Sequence, residues 1–355
     1  MVAPTPPDPK KVDAFMGKLV QDMGALAHAP TVLVGEQLGL YKTLAEEGPM
    51  TAVELAKMTH TEPRLLRDWL GAQAAAGYVD YDATQQRFSL SPEQRFVLVD
   101  TSGPDVTGAF ILASALANDW RKIAESYKSG KGMGWHEHHQ DLFVGTERFF
   151  RPGYVANLVP NWLPTLDGVV SKLTNGAKVA DVGCGHGAST IVLARAFPKS
   201  KFFGFDYHAP SIEAARVAAK EAGVDDRITF EVAEADGFPG KDYDLVAFFD
   251  CLHDMGDPAG ASAHVRASLK SDGTWLLVEP FANEKFEDNI NPVGRVFFSA
   301  SSLVCAPAAL AQGGKEVLGA QSPESVLKGI AHRAGFSKFR LATSTPFNRV
   351  FEVRP

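Results

Sequence analysis

Three glycines in the run VADVGCGHGAS, residues 179–189, are the part of this 355-residue chain best suited to hold a small molecule. Gly183, Gly185 and Gly187 follow an apolar stretch and open a helical one. Bare backbone there can turn tightly and come close to a ligand, and a nucleoside is the natural guest. The spacing also satisfies a loose dinucleotide fingerprint, with Ala188 as the last small residue, so the glycines alone do not choose the ligand. Asp181, two residues before the first glycine, narrows the choice: its carboxylate can take an amino group such as that of a methionine moiety, and it repels a pyrophosphate. Asp206 falls 25 residues after Asp181, where a carboxylate can accept both hydroxyls of a ribose. Asp236 and Phe238 are placed to meet an adenine amino group and ring face.

His253 stands in FFDCLHDMGD, just past an apolar run, at the kind of rim where doubly wound sheets bind ligands. Histidine moves protons near neutral pH, and the competing reading is a helix-start histidine bonded to nearby backbone. The segment WHEHHQDLFVGTERFFRPGY, residues 135–154, carries an HxHH run that could ligate a metal. His136 and His138 share a face only in an extended chain, and His136 and His139 only on a helix, so one geometry cannot use all three. The expectation is no metal, with His139, Phe149, Phe150 and Tyr154 capping the ligand and Arg151 meeting a carboxylate.

The elements that must position these residues follow from periodicity. Val12 to Glu46 reads as two helical stretches separated near Pro30. Thr51 to Met58, a break at Thr59 to Thr61, a helix over 62–76 and a hairpin of 78–81 with 87–90 make a winged helix. Residues 103–175 are mostly helical and form a bridge. From Lys178 strands alternate with helices, at 178–182, 201–206, 228–232, 245–249 and 274–278, which means a parallel sheet covered on both faces. Two alternating runs, 339–343 and 348–353, complete an antiparallel hairpin on one edge. The predicted fold is α/β, a Rossmann-like doubly wound sheet of seven strands after a helical winged-helix domain. The predicted domains are 1–102, a linker or lid at 103–175, and 176–355.

Composition bounds the partners. A net charge of −7 repels phosphate backbones and anionic lipid. Cys184, Cys251 and Cys305 are far apart and fit no zinc spacing, so a reducing cytoplasm is the simpler setting. The first residues lack the apolar core of a signal peptide, and no window reaches roughly 20 consecutive apolar residues.

With these residues in place the chain resembles the class I S-adenosylmethionine-dependent methyltransferases over roughly 178–355. The order of parts is similar to small-molecule O-methyltransferases of the caffeate and hydroxyindole type, which carry a winged-helix-like dimerisation domain. Leu252-His253-Asp254-Met255 matches their L-H-D-W stretch without the tryptophan. The resemblance implies S-adenosylmethionine as methyl donor and S-adenosylhomocysteine as product, with Tyr207, Phe249 and Asp250 joining the cofactor residues and Cys251 near the methyl. It implies His253 as general base and Glu279, in LLVEPF, as the acid that orients it. A second orienting acid is not clearly matched, Glu316 being nearest. It further implies an acceptor pocket around Phe297 and Phe298, for a small, fairly apolar or aromatic molecule, and a homodimer through the N-terminal domain. A winged-helix regulator is the rival, but residues 51–100 hold five Lys or Arg against seven Asp or Glu, whereas a DNA-contacting domain is usually basic. An enzyme that binds S-adenosylmethionine without transferring its methyl is the other alternative, as is N- or C-methylation.

Overall fold

The computed structural model describes residues 6–100, 103–105 and 107–355. The chain divides into two compact units, Met1–Ser114 and Ala115–Pro355, and the boundary expected after residue 102 falls outside the described residues.

Helix α1 (Pro9–Gln37) opens the first unit, with the Asp8 carboxylate accepting from Lys10 N at its start. It does not stop at Pro30. Losing one backbone N–H inside a long helix is tolerated, whereas Gly39 at φ 67° takes the left-handed conformation that turns the chain into α2 (Leu40–Glu47). Helix α3 (Ala52–Thr59) starts on a capping box of Thr51 and Glu54, and α4 (Pro63–Ala75) follows after a short break. Strands β1 (Asp80–Asp82) and β2 (Arg87–Ser89) pair antiparallel as the wing, and α5 (Pro92–Leu98) closes the unit's regular structure. Leu40, Leu44, Leu55, Leu66 and Leu70 fill the core. The fully buried Gln73 bonds Tyr41 Oη and Thr31 Oγ1, so α1, α2 and α4 are pinned by polar contacts as well as packing. The first half of α1 is different: Phe15, Leu19, Met23 and Leu26 form one apolar stripe, and three of them are more than 60% exposed.

Helix α6 (Thr107–Ser129) leads into the second unit, followed by a single turn at Trp135–Glu137, then α7 (Asp141–Asn157) and α8 (Val169–Asn175). The alternating part runs β3 (Lys178–Val182), α9 (Ala188–Ala196), β4 (Lys201–Asp206), α10 (Ala209–Glu221), β5 (Ile228–Val232), β6 (Tyr243–Phe249), α11 (Pro258–Ser268) and β7 (Leu269–Pro280). Helices α12 (Pro292–Ala300), α13 (Ala306–Ala311) and α14 (Glu324–Arg333) precede β8 (Lys338–Ser344) and β9 (Asn348–Arg354).

The sheet order is β5-β4-β3-β6-β7-β9-β8, with the first five strands parallel and the last two antiparallel. Successive residues of β3 feed opposite cores: Val179 packs with Leu173 and Leu193, while Ala180 and Val182 pack with Trp275 and Phe351. Both faces are therefore dry, as the near-continuous apolar strands require. The direction of winding reverses between β3 and β6, which opens a crevice at their carboxyl ends. The stretch Pro292–Ala311 is long and apolar enough to cross a membrane by length and composition, and Phe297, Val304, Cys305, Ala308 and Ala309 within it are buried against the protein.

Candidate active site

A cleft of about 450 Å³ lies at that reversal. Its floor is the turn between β3 and α9, where Gly183 N and Cys184 N both donate to Phe205 O, at 2.8 and 3.0 Å. Gly185 (φ 52°) has open space where a Cβ would stand, so its backbone is bare to the cleft. Gly187 (φ 78°) does not line the cleft; a Cβ there would come within 2.6 Å of Phe230, so this glycine serves close packing of helix on sheet.

Asp206 ends β4 and lines the cleft. One of its oxygens accepts from Gly185 N and the other from His208 N, both at 2.9 Å, and burial pushes its pKa up against those bonds. Tyr207 stands beside it, Asp236 lines the wall after β5, and Phe249 and Asp250 line the end of β6. Asp250 is held at φ 50°, unusual outside glycine, with Oδ1 accepting from Asn348 and Oδ2 buried without a partner. Phe150 and Tyr154 of α7 cover the opposite side, Tyr154 lying 5.2 Å from Phe249 ring to ring.

Asp181 sits behind the loop, 1% exposed, and does not line the cleft. Its Oδ2 accepts from the hydroxyls of Ser189 and Thr190, both at 2.6 Å, while Oδ1 has no partner. Burial pushes its pKa up to about 6, against the pull of the two hydroxyls. Since its folded pKa lies above the ordinary one, Asp181 favours folding most at low pH, and that contribution fades as pH rises from about 4 to about 6.

His253 and Glu279 form a buried pair under the cleft. His253 Nδ1–H donates to Glu279 Oε2 at 2.5 Å, and Leu252 N donates to the other carboxylate oxygen at 3.0 Å. On the far side of the ring, Nε2 lies 3.2 Å from Asp254 Oδ1, close enough for charge attraction but too poorly aligned for a hydrogen bond. Burial pulls the His253 pKa down, yet the Glu279 and Asp254 charges outweigh it and hold the imidazolium well above its usual range. Cys305 also approaches, and burial pushes its thiol up to about 12. Ligand atoms of His253, Asp254 and Cys305 lie within 4.8 Å of one another, but the imidazolium already balances the acids there.

Several sequence expectations are displaced. Phe238 is 1% exposed and packs on Phe205, Tyr243 and His264 in the core, so the wall it was expected to form belongs to Ala235 and Asp236. Phe297 packs near Phe347 and Phe298 on Phe286, and neither lines this cleft. His139 stays near the surface, 3.4 Å from Asp141, and Arg151 meets Glu147 at 3.6 Å. Glu316 pairs with Arg333 at 2.6 Å, so it does not orient His253. Trp135, Phe143 and Asp254 line the cleft without having been singled out. The tryptophan heading the histidine run and the acid after His253 were the available signals.

Seven carboxylates line the cleft, from Glu147, Asp206, Glu234, Asp236, Asp250, Asp254 and Asp257, and no lysine or arginine does among the described residues. That donor set rejects a pyrophosphate and suits a cationic guest. The charge, the bare loop and the unpartnered oxygen of Asp250 fit S-adenosylmethionine, whose sulfonium and ammonium are both positive.

Residues 173–310 match the family model described as a methyltransferase domain, and residues 27–99 match the Rv2258c-like winged HTH domain. The fold is thus that of a methyltransferase domain with a winged-helix domain ahead of it in the chain. Among relatives, the 27-O-demethylrifamycin SV methyltransferase of Amycolatopsis mediterranei is 29% identical over 43% of this chain and 62% of its own. The mitomycin biosynthesis 6-O-methyltransferase of Streptomyces lavendulae is 24% identical over 72% of this chain and 75% of its own. The chain spans less than two thirds of some relatives it matches, the rifamycin enzyme included. The solved mitomycin 7-O-methyltransferase MmcR superposes with a TM-score of 0.69 at 19% identity, over 97% of this chain and 99% of its own. Human N-acetylserotonin methyltransferase in complex with S-adenosylmethionine gives 0.68 at 16% identity, over 96% and 97%.

The Glu279→Gln variant removes the larger of the two charges that raise the His253 pKa. Its imidazole titration, followed by nitrogen-15 NMR, is expected to move to lower pH by about one unit or more. An unmoved titration contradicts the pairing.

Proposed function

We propose that this chain is an S-adenosylmethionine-dependent methyltransferase that O-methylates a small, fairly apolar or aromatic acceptor, with His253 as general base. The observation that carries the reading is an acid-lined, cation-selective cleft at the switch point of a methyltransferase fold, with a carboxylate-backed histidine beneath it. S-adenosylmethionine supplies a methyl group activated by positive sulfur, and S-adenosylhomocysteine is what remains.

The chain's own residues align, shield and move a proton. Asp206, which fixes Gly185, would hold the ribose hydroxyls, and Asp236 would meet the adenine end. Asp250 and the acidic lining would hold the positive end. Trp135, Phe143, Phe150 and Tyr154 supply apolar surface that excludes water and accommodates an aromatic acceptor. With the Asp254 carboxylate turned aside, an acceptor hydroxyl that reaches His253 Nε2 gives its proton to His253, and Glu279 stabilises the imidazolium that forms. Only neutral His253 can accept that proton. Because its pKa is raised, kcat/KM should climb with pH through a value above the ordinary histidine range.

The exposed stripe of α1, Phe15, Leu19, Met23 and Leu26, supports a homodimer through the N-terminal unit, since a monomer in water gains nothing from that surface. A reducing cytoplasm suits three cysteines that are all free.

Screening phenols, hydroxy acids and amines with methyl-labelled S-adenosylmethionine tests the reaction: labelled product with stoichiometric S-adenosylhomocysteine supports it. Donor left intact while an acceptor is otherwise transformed would point to the non-methylating alternative. With a true acceptor, His253→Ala is expected to lower the single-turnover rate by roughly a hundredfold or more while cofactor affinity holds. A wild-type rate would remove His253 as the base. Met23→Glu is expected to shift the protein from dimer to monomer in sedimentation velocity, and an unchanged species would discount the α1 face.

A further inference from the structure

The histidine-rich run is explained by none of the roles above. In the structure it is a fastening. His138 and Asp119 of α6 are both essentially inaccessible, with Nδ1 and Oδ2 3.2 Å apart. The same oxygen accepts from His139 N at 2.7 Å. Burial lowers the His138 pKa, so the ring is neutral near pH 7 and its one proton sits on Nδ1, facing the carboxylate. Two further bonds close the turn: Gly134 N donates to the Glu137 carboxylate at 2.7 Å, and Lys122 Nζ donates to Glu137 O at 2.9 Å.

What this fastening presents to the cleft is Trp135. Its ring packs near Phe143, and Nε1–H donates to Asp254 Oδ2 at 3.1 Å. The other oxygen of Asp254 is the one 3.2 Å from His253 Nε2, and it has no other partner. The indole N–H thus holds one side of the Asp254 carboxylate, and the Cys305 thiol lies close to the other groups of the cluster, so Trp135 helps set where the Asp254 charge stands relative to the imidazole. The remaining groups facing His253 are Glu279 and Cys305, with the Asp250 charge also within reach.

We propose that Trp135 is a positioning residue for proton transfer in this site, and that the Asp119–His138 pair is the latch that holds it on Asp254. The inference rests on the reading of His253 as the base. Removing the indole N–H frees Asp254 to turn toward water in the cleft, and attraction on the imidazolium weakens. The histidine run is then a structural clasp between α6 and the catalytic turn.

The test uses the full-length protein with nitrogen-15 histidine, as wild type, Trp135→Phe and Asp119→Asn. Trp135→Phe keeps the ring and loses only the donor. It is expected to move the His253 titration to lower pH by several tenths of a unit or more. With a methyl acceptor in hand, it should move the rising limb of the kcat/KM profile in the same direction and lower kcat about tenfold, more than it alters KM. Asp119→Asn should reproduce the shift without touching the cleft. If Asp119→Asn does not fold, Trp135→Phe decides alone. An unmoved His253 titration in Trp135→Phe overturns the proposal, even if kcat falls, because a merely structural loss lowers kcat without moving the pH profile. Failure of the wild type to bind S-adenosylmethionine would strike the function proposed above, while the titration would still judge the latch.

Discussion

Concentrating seven carboxylates around one cleft, with no lysine or arginine among the described residues that line it, is the constraint on which the rest of the structure depends. Such an arrangement repels itself, and it persists because backbone and amide donors hold the acids individually: Gly185 N and His208 N on Asp206, Gly260 N on Asp257, Asn348 on Asp250. Burial is the main cause of the raised pKa values of Asp181, Asp206 and Asp250, with neighbouring carboxylates adding to it at Asp181 and Asp250. A cationic guest relieves both. The same field that favours a sulfonium also disfavours a phosphate, so charge settles a question that three glycines leave open.

Beneath the cleft the electrostatics are paired rather than diffuse. Glu279 arrives at the end of β7 and His253 in the turn after β6, so the two meet only because β6 and β7 are adjacent and parallel. Their contact couples a core strand to the catalytic turn. Asp254 adds a second charge on the other side of the ring, fixed by Trp135 from a segment more than a hundred residues earlier. Proton affinity at His253 is therefore set by three elements that the chain brings together only when folded.

The alternating strands and the glycine loop were legible because period-two and apolar runs constrain β3 to β7 strongly, and the seven-stranded sheet follows. That Asp206, Asp236 and Asp250 line a cleft was legible from their positions after strands, since parallel sheets bind ligands at carboxyl ends. Phe238 was misread because position after a strand does not fix which way a ring turns, and Phe205 and His264 offered it a drier home. Phe297 and Phe298 fell outside the cleft for the same reason: apolar periodicity marks a buried helix without saying which cavity it faces. Trp135 and the Asp119–His138 latch were invisible because their meaning lies in contacts between distant segments. Pro30 in the sequence predicts a helix break, yet the turn comes at Gly39, where the left-handed conformation is cheap.

The measurement that bears most directly on this account is calorimetric titration of the purified protein with S-adenosylmethionine and S-adenosylhomocysteine, with NAD as control. Micromolar binding of both nucleosides and none of NAD is the predicted result. Binding of NAD, or of none of the three, would contradict the assignment of the acid-lined cleft to a sulfonium cofactor.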